Sequence, residues 1–145
     1  MKQIGKLILT LVLPLTIIFF GTIIKWRYVH IDDLPNDFLL GFPLPFICNS
    51  WGSSMSLQIF IEEFLFDFLI YFILNLTIVL LFDKYVKSII VGKVFKFVLF
   101  GFSTLTLMFY GLIFLNHDNR FKIKSDFMYK EIRSGYKFIW QEVKT

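Results

Sequence analysis

The sequence contains no alanine and a single cysteine, Cys48. One thiol excludes an intrachain disulfide and any multi-cysteine metal centre, so Cys48 reads as a small apolar filler. Also missing are a P-loop, a dinucleotide-binding fingerprint, an H-E-x-x-H pair and a nucleophile elbow. Ser53, Ser54 and Ser56 follow Gly52 without the elbow pattern and read as loop and helix-cap residues. These absences lead to the expectation of no enzymatic activity, no cofactor and no metal.

Charge is scarce as well. Asp, Glu, Lys and Arg make up 18% of the chain against 57% hydrophobic residues. A soluble domain of this size needs more polar residues to cover its surface, so the composition indicates an integral membrane protein. Lys and Arg exceed Asp and Glu by 15 to 11, but no basic patch accompanies a recognition motif, and no nucleic-acid partner is expected. Phe occurs 20 times beside frequent Ile, Leu and Lys, as an AT-rich coding bias would produce, so aromatic richness by itself carries no functional signal.

What the chain does have is three long apolar runs, each close to the roughly 20 residues that span a bilayer core. They cover about residues 7–24, 57–82 and 94–115. The expected fold class is therefore an all-α integral membrane protein: three transmembrane helices plus a C-terminal amphipathic helix, in one membrane domain. The first run begins like a signal peptide but lacks a small-residue cleavage site and reads as an uncleaved anchor. Pro14 removes the hydrogen bond to the carbonyl of Thr10, which predicts a kink. In the third run Gly101, Thr104, Met108 and Gly111 share one side, where a second helix could approach closely.

Between the first two runs lies a loop, residues 25–56, broken by Pro35, Gly41, Pro43, Pro45 and Gly52. Its Pro-x-Pro core is expected to be extended. A surface position is preferred over a re-entrant one. The tail, residues 116–145, repeats Met128, Ile132, Tyr136, Ile139 and Val143 at helical spacing, with Lys130, Arg133, Lys137 and Lys144 on other faces. That pattern predicts an amphipathic helix over about 126–143, seated at the headgroups by Tyr129, Phe138 and Trp140 or packed on another protein.

Lys2 and Lys6, with Lys84, Lys87, Lys93 and Lys96, favour a cytoplasmic N-terminus in the cell (inner) membrane, residues 25–56 outside and the tail outside. The tail's own cations pull the other way.

The second run carries Glu62, Glu63, Asp67 and Asn75. Glu63, Asp67, Tyr71 and Asn75 recur every four residues and form one slowly winding polar stripe, with Asp67 about 9 Å inside the hydrocarbon at about 1.5 Å per residue. An ionised Asp at such depth costs about 2.5–3.5 kcal/mol, so a partner is expected. The leading expectation pairs Glu62, Glu63 and Asp67 with Lys25 or Arg27, with His30 nearby. The sharper alternative is an outward-opening polar site, Asp67 accepting a proton or cation and Glu63 at its mouth. A metal site drawn from His30, Asp32, Asp33, Glu62, Glu63 and His117 has no ligand spacing to support it.

The stretch Gly41, Phe42, Pro43, Leu44, Pro45, Phe46 resembles the Gly-aromatic-Pro-x-Pro-aromatic loop of small uncharacterised bacterial membrane proteins. With the span layout, the likeness covers roughly a third of the chain. It implies a bacterial envelope location and carries over no activity. The expected role is that of an accessory or interaction subunit acting through this loop and the tail. Its partners are the lipid bilayer and another membrane protein or a second copy. A small oligomeric channel or permease using Glu63, Asp67 and Asn75, and a holin-like or immunity-type envelope protein, are the alternatives.

Overall fold

A computed structural model describes residues 2–31, 34–50, 56–86 and 90–138. Asp32, Asp33, Gly52, Ser53, Ser54, Lys87, Ile139, Trp140, Val143 and Lys144, all used above, lie outside the described residues. The chain divides into two units, Met1–Thr22 with Phe68–Gly111, and Ile23–Asp67 with Leu112–Thr145.

The first unit is helical. Helix α1 (Lys2–Leu7) continues through a π-helical turn (Ile8–Val12) into α2 (Leu13–Thr22). Pro14 has no N–H to offer Thr10, and the chain widens just before it: the Leu13 N–H donates to the Ile8 carbonyl, five residues back. The remaining helices are α3 (Ile61–Tyr85), which begins in the second unit, and α4 (Lys93–Phe114). Leu11, Val12, Val79 and Leu99 form the core of this unit. Helix α2 approaches α4 at Gly21, where a Cβ would collide with the methyl of Thr106, and the Tyr110 hydroxyl donates to the Gly21 carbonyl at 3.2 Å. The small residues that make the contact are thus not Gly101 and Gly111, each of which faces open space.

Three helical stretches, Ile4–Thr22, Ile61–Tyr85 and Lys93–Phe114, are long and apolar enough to cross a membrane. Large apolar side chains such as Leu65, Phe66, Ile73, Phe97 and Leu105 are exposed along them. This retains the three apolar helices and shortens two of the expected runs, because residues 23–24 and 57–60 are strand.

The all-α expectation is overturned in the second unit. It contains strands β1 (Ile23–Ile31), β2 (Leu34–Leu40), β3 (Ile47–Asn49), β4 (Leu57–Phe60), β5 (Arg120–Lys122) and β6 (Tyr129–Phe138). They form one sheet in the order β5-β4-β3-β2-β1-β6, antiparallel except where β5 lies parallel to β4. The supposed loop therefore supplies most of β1 together with β2 and β3, the start of the second apolar run supplies β4, and the described part of the predicted amphipathic helix contains the edge strand β6. The physical reason is a coincidence of periods. Met128, Ile132 and Tyr136 are four apart, about one helical turn but also two full strand repeats, so spacing alone cannot choose. Pairing with β1 decides it, aided by Gly135, a poor helix residue. Val29, Ile31, Leu39, Cys48 and Phe60 form the core, with Phe127 packed against it.

Candidate functional site

The first turns of α3 carry two buried carboxylates of the second unit, Glu63 and Asp67. Glu62 and Glu63 occupy the first helical turn, where exposed backbone N–H groups favour acidic residues. The Glu62 N–H donates to the Ile123 carbonyl at 2.9 Å. Glu63 is buried, and its Oε1 accepts both from the Ser125 N–H at 2.9 Å and from the Ser125 hydroxyl at 2.7 Å. One turn further on, the fully buried Asp67 accepts the Leu44 N–H at 3.0 Å through Oδ1. Among the described residues, Oε2 of Glu63 and Oδ2 of Asp67 are buried without a hydrogen-bond partner.

The 41–46 segment presented to Asp67 is a tight bend, which corrects the expectation of an extended Pro-x-Pro core. Its ends are tied by the Gly41 N–H to the Lys25 carbonyl at 3.0 Å and by the Phe46 N–H to the Leu40 carbonyl at 2.9 Å. Gly41 has φ +135°, and a Cβ there would press on the Leu44 carbonyl and come within 2.6 Å of the Phe46 ring, so only glycine fits. Pro45 and Phe46 are buried, whereas Phe42 and Leu44 are exposed at the tip. Phe46 packs edge-on against Phe64 at 5.3 Å.

The expected ion pairs are not formed. Arg27 is buried and its guanidinium donates to the carbonyls of Gly41 at 2.7 Å and Pro43 at 2.6 Å, while its Nε lies 3.3 Å from a Glu131 carboxylate oxygen. The planar fork bridges two carbonyls of the bend, so Arg27 shapes the turn whose Leu44 N–H then serves Asp67. Lys25 places its ammonium 5.9 Å over the Phe42 ring, and His30 Nδ1 contacts Asn36 Oδ1 at 2.7 Å. None of the three neutralises Glu62, Glu63 or Asp67 within ion-pair distance.

The polar stripe is also divided. Glu63 and Asp67 belong to the second unit and Tyr71 and Asn75 to the first. Tyr71 packs edge-on against Phe20 at 5.6 Å, and Asn75 Nδ2 donates to the Tyr71 carbonyl at 2.9 Å, a bond within the helix. Among the described residues no group of three His, Cys, Asp or Glu side chains is arranged to hold a metal ion.

Sequence reasoning missed Ser125, Glu131 and Asn119. The first two carry no local signal, since each acts on a partner far away in the chain. Asn119 does: it closes the "NHDN" turn after α4, donating to the Ile113 carbonyl at 2.6 Å and accepting the Leu57 N–H at 2.9 Å. Glu131 is held below the usual carboxylate range by the Ser134 hydroxyl and then by the charges of Lys25 and Arg27. Burial, reinforced by Asp37, pushes the Cys48 thiol up to about 12.

The opposite face of the sheet is different. Trp26, Tyr28 and Phe38 form an aromatic group there, with Tyr28 and Phe38 at 4.9 Å, beside a depression of about 210 Å³ lined by Phe38, Leu40, Ile47, Leu57 and Lys137. The buried polar groups at α3 thus serve to fasten backbone segments, and the exposed surface lies at the sheet and the 41–46 tip. The chain matches no protein-family model, no curated protein and no solved structure.

Proposed function

We propose that the protein is a small polytopic membrane protein that acts as an accessory or interaction subunit, carrying its sheet on one side of the cell membrane. The observation that carries this reading is β6, a ten-residue edge strand with exposed Ile132, Tyr136 and Phe138 and with only β1 as a neighbour among the described residues. An edge of that length presents a row of backbone donors and acceptors to another chain. The exposed Phe42 and Leu44 add a second, apolar contact point on a bend held by Arg27 and Asp67.

The sheet also supports a topology. It draws β1–β4 from before α3 and β5 and β6 from after α4, which supports a reading with both segments on one side. Two crossings, α3 and α4, return the chain to that side. The N-terminus and the α3–α4 connection then share the other, which Lys6, Lys84, Lys93 and Lys96 favour as cytoplasmic. The channel or permease alternative has less support, because Glu63 and Asp67 are engaged by Ser125 and Leu44.

The test is photo-crosslinking in native membranes from single positions Ile132, Tyr136, Phe42 and Leu44. One discrete heavier adduct from β6 is expected. Silence at all four positions would refute the interaction role. Impermeant-maleimide labelling of Asn36→Cys, Ile90→Cys and Lys130→Cys checks the topology: 36 and 130 must respond alike and 90 oppositely.

A further inference from the structure

The cations of β6 are arranged by a register shift. Tyr28 pairs with Arg133 but Val29 pairs with Glu131, so Ile132 is an extra residue on β6. In a regular strand Lys130 and Arg133 would point to opposite faces, since side chains alternate. The extra residue reverses the alternation. Lys130, Arg133 and Lys137, paired with His30, Tyr28 and Ile24, therefore stand on one face. Gly135 sits between the last two, and a Cβ there would come within 3.0 Å of the Trp26 indole, so that ring covers the gap.

The face carries no carboxylate on β1 or β6. Among the described residues the ion pairs are Arg27–Glu131 and Lys122–Asp126, and neither involves these three cations. Lys130 and Arg133 are exposed and Lys137 is half-buried. The other face is mixed: Glu131, paired with Arg27, and Ser134 stand on it together with the exposed Tyr136 and Phe138, and Tyr136 packs on Phe42 at 5.9 Å. Among the described residues the edge thus offers an unshared backbone row and a cationic side.

We propose that β6 is the docking site for an extended segment of a partner protein that adds to the sheet as a further strand, with acidic residues on the face that meets Lys130, Arg133 and Lys137. This rests on the interaction role proposed above and assigns the chemistry of the partner. Backbone pairing supplies binding and the three cations supply selectivity, since opposite charges across a strand pair attract and like charges repel. A second copy of this chain is disfavoured as occupant, because antiparallel self-pairing sets the same three cations against one another.

The full chain in lipid nanodiscs is titrated with a capped ten-residue peptide of alternating Val and Glu, and hydrogen exchange of the β6 amides is followed residue by residue. Alternate amides, those not bonded to β1, should slow by about tenfold or more. Reversing the charges with K130E, R133E and K137E together should weaken this peptide by about tenfold or more and admit an alternating Val–Lys peptide in its place. No slowing with Val–Glu at about 1 mM overturns the proposal. So does equal slowing by Val–Lys on the unmodified chain. An acidic peptide with Pro replacing Val cannot pair as a strand; if it binds equally well, the face is a general polyanion site and strand addition is wrong. A β6 crosslink that survives the triple reversal keeps the interaction role and removes the acidic partner, whereas absence of any crosslink removes the role itself.

Discussion

Asp67 and Leu44, twenty-three residues apart, are joined by a 3.0 Å hydrogen bond from the Leu44 N–H to a carboxylate oxygen on a side chain with no solvent exposure. The bond fastens the apolar 41–46 bend to the second turn of α3. It also answers why a stretch long and apolar enough to cross a membrane carries this acid: the carboxylate is a backbone acceptor.

Replacing Asp67 by Ala removes the acceptor of that part-buried N–H and should cost about 1–3 kcal/mol, whereas Asp67→Asn keeps an acceptor oxygen and should cost less. Thermal unfolding in detergent compares them. Equal losses would show that the charge, not the hydrogen bond, is what matters at this position.

The glycines should divide by surroundings. Gly135→Val must displace the Trp26 indole, within 3.0 Å of the new Cβ, and should cost about 1–3 kcal/mol with a shift in tryptophan fluorescence. Gly41→Ala meets both a positive φ and the Phe46 backbone and should be at least as damaging. Gly101→Ala and Gly111→Ala face open space within a helix and should be neutral or stabilising by up to about 1 kcal/mol. A severe loss at Gly101 or Gly111 would mean that a second chain packs there.

Cys48 should resist a maleimide in the folded protein near neutral pH, because it is buried in the sheet core and its thiol is pushed up to about 12. Denaturant should release the reaction. Rapid labelling under native conditions would contradict the packing of β3 against Phe60.

Glu131 gives a pH signature of defined sign. Its folded-state pKa is depressed, so its contribution to stability is present above the ordinary carboxylate value of about 4.3 and is lost as pH falls through the folded value. Ser134→Ala should move the Glu131 carboxyl resonance titration upward, and Glu131→Gln should flatten the acid limb of the stability curve. An unchanged midpoint in Ser134→Ala would remove the hydroxyl as the main cause.

By itself the sequence determined the three helical stretches that, among the described residues, are long and apolar enough to cross a membrane, since length and composition decide that without reference to any neighbour. It also marked Gly41, the prolines and Asp67 as positions needing a special explanation. Tertiary structure decided the rest. The spacing of Met128, Ile132 and Tyr136 satisfies helix and strand alike, and only nonlocal pairing with β1 selects the strand. Arg27 and Asp67 were both legible as groups needing partners, but the partners are backbone atoms of one bend, and any residue can supply a backbone atom. Ser125 acts on Glu63 from sixty-two residues away with no pattern to announce it. The common face of Lys130, Arg133 and Lys137 exists only because one extra residue at Ile132 shifts the register, a property of two strands held together and not of either alone.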